Sequence, residues 1–153
     1  MAPIFPYSQR MIYLAQPSRK QRGSAKKYIR AVVADDSPVA LAAICSFLET
    51  VSGITVIATA LDGYELLQKV ERLDPDLVIT DLRMPHMGGL EVSLHLRDLL
   101  PAVRIIVLTE MEGSFVRQAC LESGADACVY KNEMPEELVA TIRKLFPRVP
   151  DVS

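Results

Sequence analysis

Four apolar runs in this chain each stop at a different reactive polar residue. Ala31-Val32-Val33-Ala34 runs into Asp35-Asp36, Leu77-Val78-Ile79-Thr80 into Asp81, Ile105-Ile106-Val107-Leu108 into Thr109, and Cys128-Val129-Tyr130 into Lys131. Continuous apolar runs rich in β-branched residues and bounded by turn residues are the pattern of strands buried on both faces of a parallel sheet. A fifth run, about Ile54–Thr59, follows Gly53. The pattern therefore predicts strands at about 29–34, 54–59, 77–80, 104–108 and 127–130.

Between the strands the period changes from 2 to 3.6. Ser37-Pro38 is a helix start, a hydroxyl N-cap followed by proline at N1, where its missing N–H costs nothing. Leu41, Ile44, Cys45 and Leu48 then share one face. Further helices are predicted near Tyr64–Leu73, which stops before Asp74-Pro75, and through Leu90–Leu99, which Pro101 closes. Another runs near Ser114–Ser123, with Gly124 as its C′ residue. The last is Pro135–Phe146, with Glu136-Glu137 in its first turn, where the helix dipole favours negative charge. Five strand-then-helix units with long crossovers imply a doubly wound α/β domain. No repeat of solenoid period and no second domain after Phe146 are evident.

Bulk properties permit this reading without selecting it. The 153 residues suffice for one domain with its own core, and 50% hydrophobic with 24% charged residues is ordinary for a globular protein. No apolar stretch approaches the roughly 20 residues of a membrane span, so a cytoplasmic protein is expected. Cys45, Cys120 and Cys128 lie in apolar patterns without metal-ligand or disulfide spacing, and read as reduced core residues.

Charge divides the chain more sharply than its net −2 suggests. Residues 1–27 carry Arg10, Arg19, Lys20, Arg22, Lys26 and Lys27 and no acid, leaving 11 of the 17 basic residues against all 19 acidic ones in the remainder. Pro3, Pro6, Pro17, Ser18 and Gly23 break any periodicity there, which predicts a disordered basic leader. Met11–Ala15 is too short for a secretory h-region. Such a leader is a solvated tail, an over-extended start preceding Met11, or an arm for nucleic acid, anionic lipid or the protein's own acidic face. The expected organisation is a leader over 1–27, a folded domain over 28–147 and a tail over 148–153.

The chemistry lies at the strand ends. In open parallel sheets, ligands bind in the crevice outside the carboxyl ends of the strands. Asp35, Asp36 and Asp81 converging there would raise one another's pKa or recruit a cation, and hard oxygen ligands suit Mg²⁺. Asp81, alone at the tip of the central strand, is then a nucleophile able to form an acyl phosphate. Lys131 would neutralise phosphoryl charge and the Thr109 hydroxyl would donate to a phosphoryl oxygen. Singly, each residue also has a plain structural use: a turn and cap pair, a loop acid, a strand end, a solvated charge. His86 reads as a loop residue and His95 as a helix-surface residue.

Asp35-Asp36, Asp81, Thr109 and Lys131, in that order and each at a strand end, resemble the receiver domain of two-component response regulators. Asp81-Leu82-Arg83-Met84-Pro85-His86-Met87-Gly88-Gly89-Leu90 is similar to the loop after that family's phosphoacceptor, and Gly124-Ala125-Asp126 to the entry of its fifth strand. The resemblance covers about Tyr28 to Phe146. It implies a flavodoxin-like five-stranded sheet of order 2-1-3-4-5 with helices on both faces. It also implies phosphotransfer to Asp81 from the phosphohistidine of a sensor histidine kinase or phosphotransfer protein.

Mg²⁺ would be held by Asp36, Asp81 and the backbone carbonyl of Arg83, with Asp35 contacting it through water. Phosphorylation would draw in Thr109 and repack the face of helix four, strand five and helix five, for a downstream protein, a detached output domain or a homodimer. Arg83 and Met111 stand two residues after Asp81 and Thr109, where the family sets the rate of phosphate loss. Neither a membrane nor a direct nucleic-acid contact is implied for the domain.

Three positions depart from the family pattern. Cys128 stands where an aromatic switch residue is usual, and Tyr130 points to the same side two residues later. Glu110 follows Thr109 where a small residue is usual, a potential hindrance to phosphodonors. Asn132 follows Lys131 where many members have proline, so no cis peptide is expected there. The expectation is a single-domain, non-enzymatic phosphoacceptor. Its rivals are a pseudo-receiver that binds partners without phosphorylation, the truncated receiver of a DNA-binding regulator, and an aspartate-nucleophile phosphohydrolase. Arg83 counts against the last, since such enzymes place an acid there.

Overall fold

The computed structural model describes residues 28–149. The expectations for the leader and for residues 150–153 lie outside the described residues. The elements alternate without exception: β1 (Ile29–Ala34), α1 (Pro38–Glu49), β2 (Ile54–Ala60), α2 (Gly63–Leu73), β3 (Leu77–Asp81), α3 (Gly89–Leu99), β4 (Arg104–Thr109), α4 (Ser114–Glu122), β5 (Ala127–Tyr130) and α5 (Glu136–Leu145). One turn of 3₁₀ helix, Lys131–Glu133, joins β5 to α5. All strand pairs are parallel and the sheet order is β2-β1-β3-β4-β5, a flavodoxin-like fold.

Strand alternation divides the core in two. Ala31 and Val33, Leu77 and Ile79, Ile106 and Leu108, and Val129 face α1 and α5, meeting Leu41, Ile44, Leu48, Leu138 and Ile142. Their neighbours Val32, Val78, Ile105, Val107 and Cys128 face α2, α3 and α4, meeting Leu66, Leu67, Val70, Val92, Leu96 and Cys120. Central strands buried on both faces explain why their sequence reads as unbroken apolar runs.

Helix ends follow the expected chemistry with shifts of a residue or so. The Ser37 side chain caps α1 by accepting from the Ala40 N–H, with Pro38 at N1. Capped by Asp62, α2 starts at Gly63, one residue before the predicted Tyr64, and the Pro135–Phe146 helix is shorter by one residue at each end. Gly124 lies at φ 100°, a left-handed conformation that favours glycine, and a Cβ there would stand 3.1 Å from Arg97 Cβ. Gly89 is needed for space: a Cβ would fall 2.5 Å from the Asp81 carbonyl oxygen, so its absence lets the β3–α3 loop close over the tip of β3. The Lys131–Asn132 bond is not cis; the cis peptide among the described residues is Met134–Pro135.

The cysteines are free thiols, with Cys120 and Cys128 buried and Cys45 half-buried. His86 sits in the β3–α3 loop at φ 68°, stacked on Tyr64 with ring centroids 5.8 Å apart. His95 is half-buried rather than on the helix surface, because α3 packs between α2 and α4.

Candidate functional site

The carboxyl ends of β1, β3, β4 and β5 bring together every residue singled out at the strand tips. Asp35, Asp36, Asp81, Arg83, Thr109, Glu110, Met111 and Lys131 line one cavity of about 360 Å³, together with Ser37, the cap of α1, and Ala40 within it. The register explains this. Ala34 pairs with Thr80, Asp81 with Leu108 and Thr109 with Tyr130, so the four chain segments leave the sheet side by side.

Asp35 is the buried member, 1% exposed. Its Oδ1 accepts the Ser37 N–H at 2.9 Å, which fixes the turn into α1, and its Oδ2 accepts from Lys131 Nζ at 2.8 Å. Lys131 Nζ also lies 3.5 Å from Asp81 Oδ1. The ammonium thus bridges the first and third strands from its place after the fifth. Asp81 Oδ1 accepts the Leu82 N–H at 3.0 Å. Oxygen atoms of Asp35, Asp36 and Asp81 lie within 4.8 Å of one another, with Asp36 exposed and Asp81 half-buried.

Among the described residues the electrostatics of the acid cluster are unbalanced: Asp35, Asp36 and Asp81 crowd together, and the Lys131 ammonium lies close to two of them. Burial pushes the Asp81 carboxyl up, Lys131 pulls it down, Asp35 pushes it up again, and the net direction is up. For Lys131, burial alone would lower the pKa. The hydrogen bond to Asp35 and the charges of Asp81, Asp35 and Glu110 outweigh it, and the ammonium is held above its ordinary value. A half-buried cluster of hard oxygen donors that opens on water fits a hexacoordinate Mg²⁺, which keeps several waters and uses few protein carboxylates. Repulsion among the acids and their fit to the ion have the same origin.

Thr109 is buried at the tip of β4, and its Oγ1 accepts the Met111 N–H at 3.0 Å. That bond uses the hydroxyl as an acceptor and leaves its proton to donate elsewhere. Glu110 and Met111 are exposed at the rim, as is Arg83. Cys128 lies in the core beneath α4 beside Cys120. Tyr130 is placed differently: its hydroxyl donates to the Gly113 carbonyl at 2.9 Å, and the Arg117 guanidinium stands 4.8 Å over its ring.

Tyr130 thus straps the β4–α4 loop to β5, and Asn132 adds a hydrogen bond to Glu112 of the same loop. These loop partners escaped the sequence reading. Arg117 and Asn132 carry no local signal, since their partners sit 13 and more residues away. Ser37 was legible as a cap but not as a donor to Asp35.

Comparison with known proteins finds matches over most of the described residues. The family model for the response regulator receiver domain matches residues 31–143. A transcriptional regulatory protein of Bacillus subtilis, LnrK, is 31% identical over 114 residues, covering 74% of this chain and 52% of its own length. Among solved structures, a LuxR-family two-component response regulator from Aurantimonas is 32% identical with TM-score 0.75, over 82% of this chain and 92% of that one. The isolated receiver domain of RcsB from Salmonella enterica, determined with the phosphomimetic BeF₃⁻, is 27% identical with TM-score 0.69, over 76% and 89% of the two chains. The chain spans about half the length of the curated transcriptional regulators it matches.

Proposed function

This chain belongs to the response regulator receiver domain family of two-component systems, and from that premise we propose that it is a phosphorelay switch in which Asp81 accepts a phosphoryl group. The donor is the phosphohistidine of a sensor histidine kinase or a phosphotransfer protein. A carboxylate oxygen of Asp81 attacks phosphorus, the P–N bond breaks, and the imidazole nitrogen keeps the electron pair. No general base is needed, because a carboxylate is its own nucleophile near neutral pH.

Mg²⁺, held by Asp36, Asp81 and the Arg83 backbone carbonyl with Asp35 through water, would supply charge neutralisation for the phosphoryl oxygens. Lys131 neutralises a further phosphoryl oxygen from its position 3.5 Å from Asp81. Thr109 donates its hydroxyl proton to another. Drawing Thr109 toward the phosphoryl group pulls on the Met111 N–H it now accepts, and so on the loop that Tyr130 straps.

The readout in this proposal is the α4–β5–α5 face, on which Phe115 is 82% exposed. Its partner is a downstream protein or an output domain. Cys128 and Tyr130 share the switch position that an aromatic residue fills elsewhere. Arg83, Glu110 and Met111, at the cavity rim, set phosphate loss and donor access. The protein acts as a phosphoacceptor with at most slow self-dephosphorylation, in the cytoplasm. Among the described residues no helix is long and apolar enough to cross a membrane.

One observation carries the reading above the rest: a single ammonium joins the acids of β1 and β3 at an open acidic cavity. A second reading, a receiver acting without phosphorylation, draws on Glu110 at the cavity mouth. Incubation with Mg²⁺ and acetyl phosphate, read by intact mass, separates the two. The gain of one phosphoryl group by the wild type and not by Asp81→Asn is expected; an unmodified wild type supports the phosphorylation-independent reading.

A further inference from the structure

We infer that Cys120 and Cys128 are an oxidisable thiol pair, which a peroxide closes into an intramolecular disulfide that pins α4 to β5. The sequence sets the two eight positions apart with nothing to join them. The fold brings them together, Cys120 from α4 and Cys128 from β5, in the core layer that α4 covers. Both are free thiols, and the Cys120 thiol donates a hydrogen bond to the Cys128 sulfur. The connecting segment is itself held: the Ala125 N–H donates to the Cys120 carbonyl at 3.2 Å and the Asp126 N–H to the Ile105 carbonyl at 2.8 Å.

A buried cysteine ordinarily behaves as a small hydrophobe. Two features set this pair apart. One is polarity. The hydrogen bond from Cys120 holds the Cys128 thiol below its ordinary value, with help from the Arg117 charge and against burial and Glu133. The same bond and burial push Cys120 up. Cys128 is therefore the attacking thiolate and Cys120 the resolving thiol, the arrangement of a redox-sensitive pair. The other feature is access. Among the described helices α4 is the one that buries a single residue, Cys120, where the others bury three or more. Its N-cap, Gly113, supplies no side-chain hydrogen bond. A helix so lightly anchored opens locally and admits small reagents to the sulfur atoms beneath it.

The chemistry balances with hydrogen peroxide as the oxidant. The Cys128 thiolate attacks one peroxide oxygen, the O–O bond breaks, and the departing hydroxide takes a proton to become water. The Cys120 sulfur then attacks the Cys128 sulfenic acid, the S–O bond breaks, and a second water leaves with the Cys120 proton. A fixed α4 would act on the α4–β5–α5 readout. That consequence rests on the proposed switch at Asp81, whereas the thiol chemistry does not.

The test treats the native full chain with a few equivalents of hydrogen peroxide, then iodoacetamide, then trypsin. Residues 118–131 form one tryptic peptide that carries both cysteines. That peptide is expected lighter by two hydrogens and without the alkyl label, a change that dithiothreitol reverses. Cys45, on α1 across the sheet, is expected to remain alkylatable, since burial and the Glu49 charge push its thiol up. In Cys120→Ser the sulfenic acid is stranded on Cys128, where dimedone should trap it. Closing the disulfide should slow amide exchange across Ser114–Glu122 by roughly fivefold or more. Asp81→Asn should close as the wild type does, so failure of the phosphoacceptor reading would leave this result standing. Cysteines 120 and 128 both alkylatable after peroxide, or a disulfide that forms only in urea, would overturn the inference. So would a closed pair that leaves exchange in α4 unchanged.

Discussion

The two edges of the sheet use the same residue types to opposite ends. At the amino edge Asp126 accepts the Ile105 N–H and pairs with both Arg97 and Arg104, at 2.9 and 3.1 Å. Arg97 also donates to the carbonyls of Pro101, Val103 and Gly124, tying α3 to the ends of β4 and α4. Asp76 accepts the Arg30 N–H, while the Arg30 guanidinium holds the carbonyls of Leu73 and Asp74 at the end of α2. Acids there meet guanidiniums and backbone donors. At the carboxyl edge, Asp35, Asp36 and Asp81 crowd within 4.8 Å around a single nearby ammonium. The amino edge spends its charges on the fold; the carboxyl edge holds an imbalance that a cation and a phosphoryl group would relieve.

The comparison breaks most visibly at Arg97. Removing its side chain in Arg97→Ala abolishes five hydrogen bonds and leaves Asp126 with the more exposed Arg104. A loss of about 3–4 kcal/mol is expected, the same with and without Mg²⁺. Urea unfolding measures it. An effect that Mg²⁺ repairs would mean the two edges are not separate in function.

Lys131→Met should cost less, roughly 2–3 kcal/mol in metal-free buffer, because the ammonium is 19% exposed while its partner Asp35 is buried. Here Mg²⁺ should restore part of the loss, by binding the folded state alone. Equal losses with and without the ion would remove the distinction between the edges.

Asp81→Asn should have the smallest effect on stability and the opposite sign, a gain of about 1 kcal/mol without Mg²⁺, by removing one of three like charges. Its pH dependence is directional. Burial holds the Asp81 carboxyl above its ordinary value, so the folded state retains this proton longer than the unfolded chain. Its contribution is fully present below the unfolded value and falls as pH rises through the folded one. The gain from Asp81→Asn should therefore open from about pH 4 upward. A thermal melt series showing a constant difference across that window would contradict the assignment.

Sequence legibility follows the same division. The strand tips were readable because a doubly wound sheet places consecutive strand ends at one edge, whatever the intervening helices do. Ala31–Asp36, Leu77–Asp81, Ile105–Thr109 and Cys128–Lys131 each carry their own chemistry locally, and the fold only has to align them.

The amino-edge network was not readable. Three of the four acceptors of Arg97 are main-chain carbonyls, which every residue possesses, and Gly124 stands 27 positions away. The Tyr130 hydroxyl reaching Gly113 depends on how far the β4–α4 loop closes, a tertiary fact. The half-burial of His95 likewise depends on the neighbours of α3.

The most direct test is the amide NMR spectrum on addition of beryllofluoride with Mg²⁺. Shifts centred on Asp81, Thr109 and Lys131, requiring both the ion and the phosphoryl analogue, spreading to α4 and β5 and absent in Asp81→Asn, are predicted. A spectrum unchanged at those residues, or a response that persists in Asp81→Asn, would contradict the account.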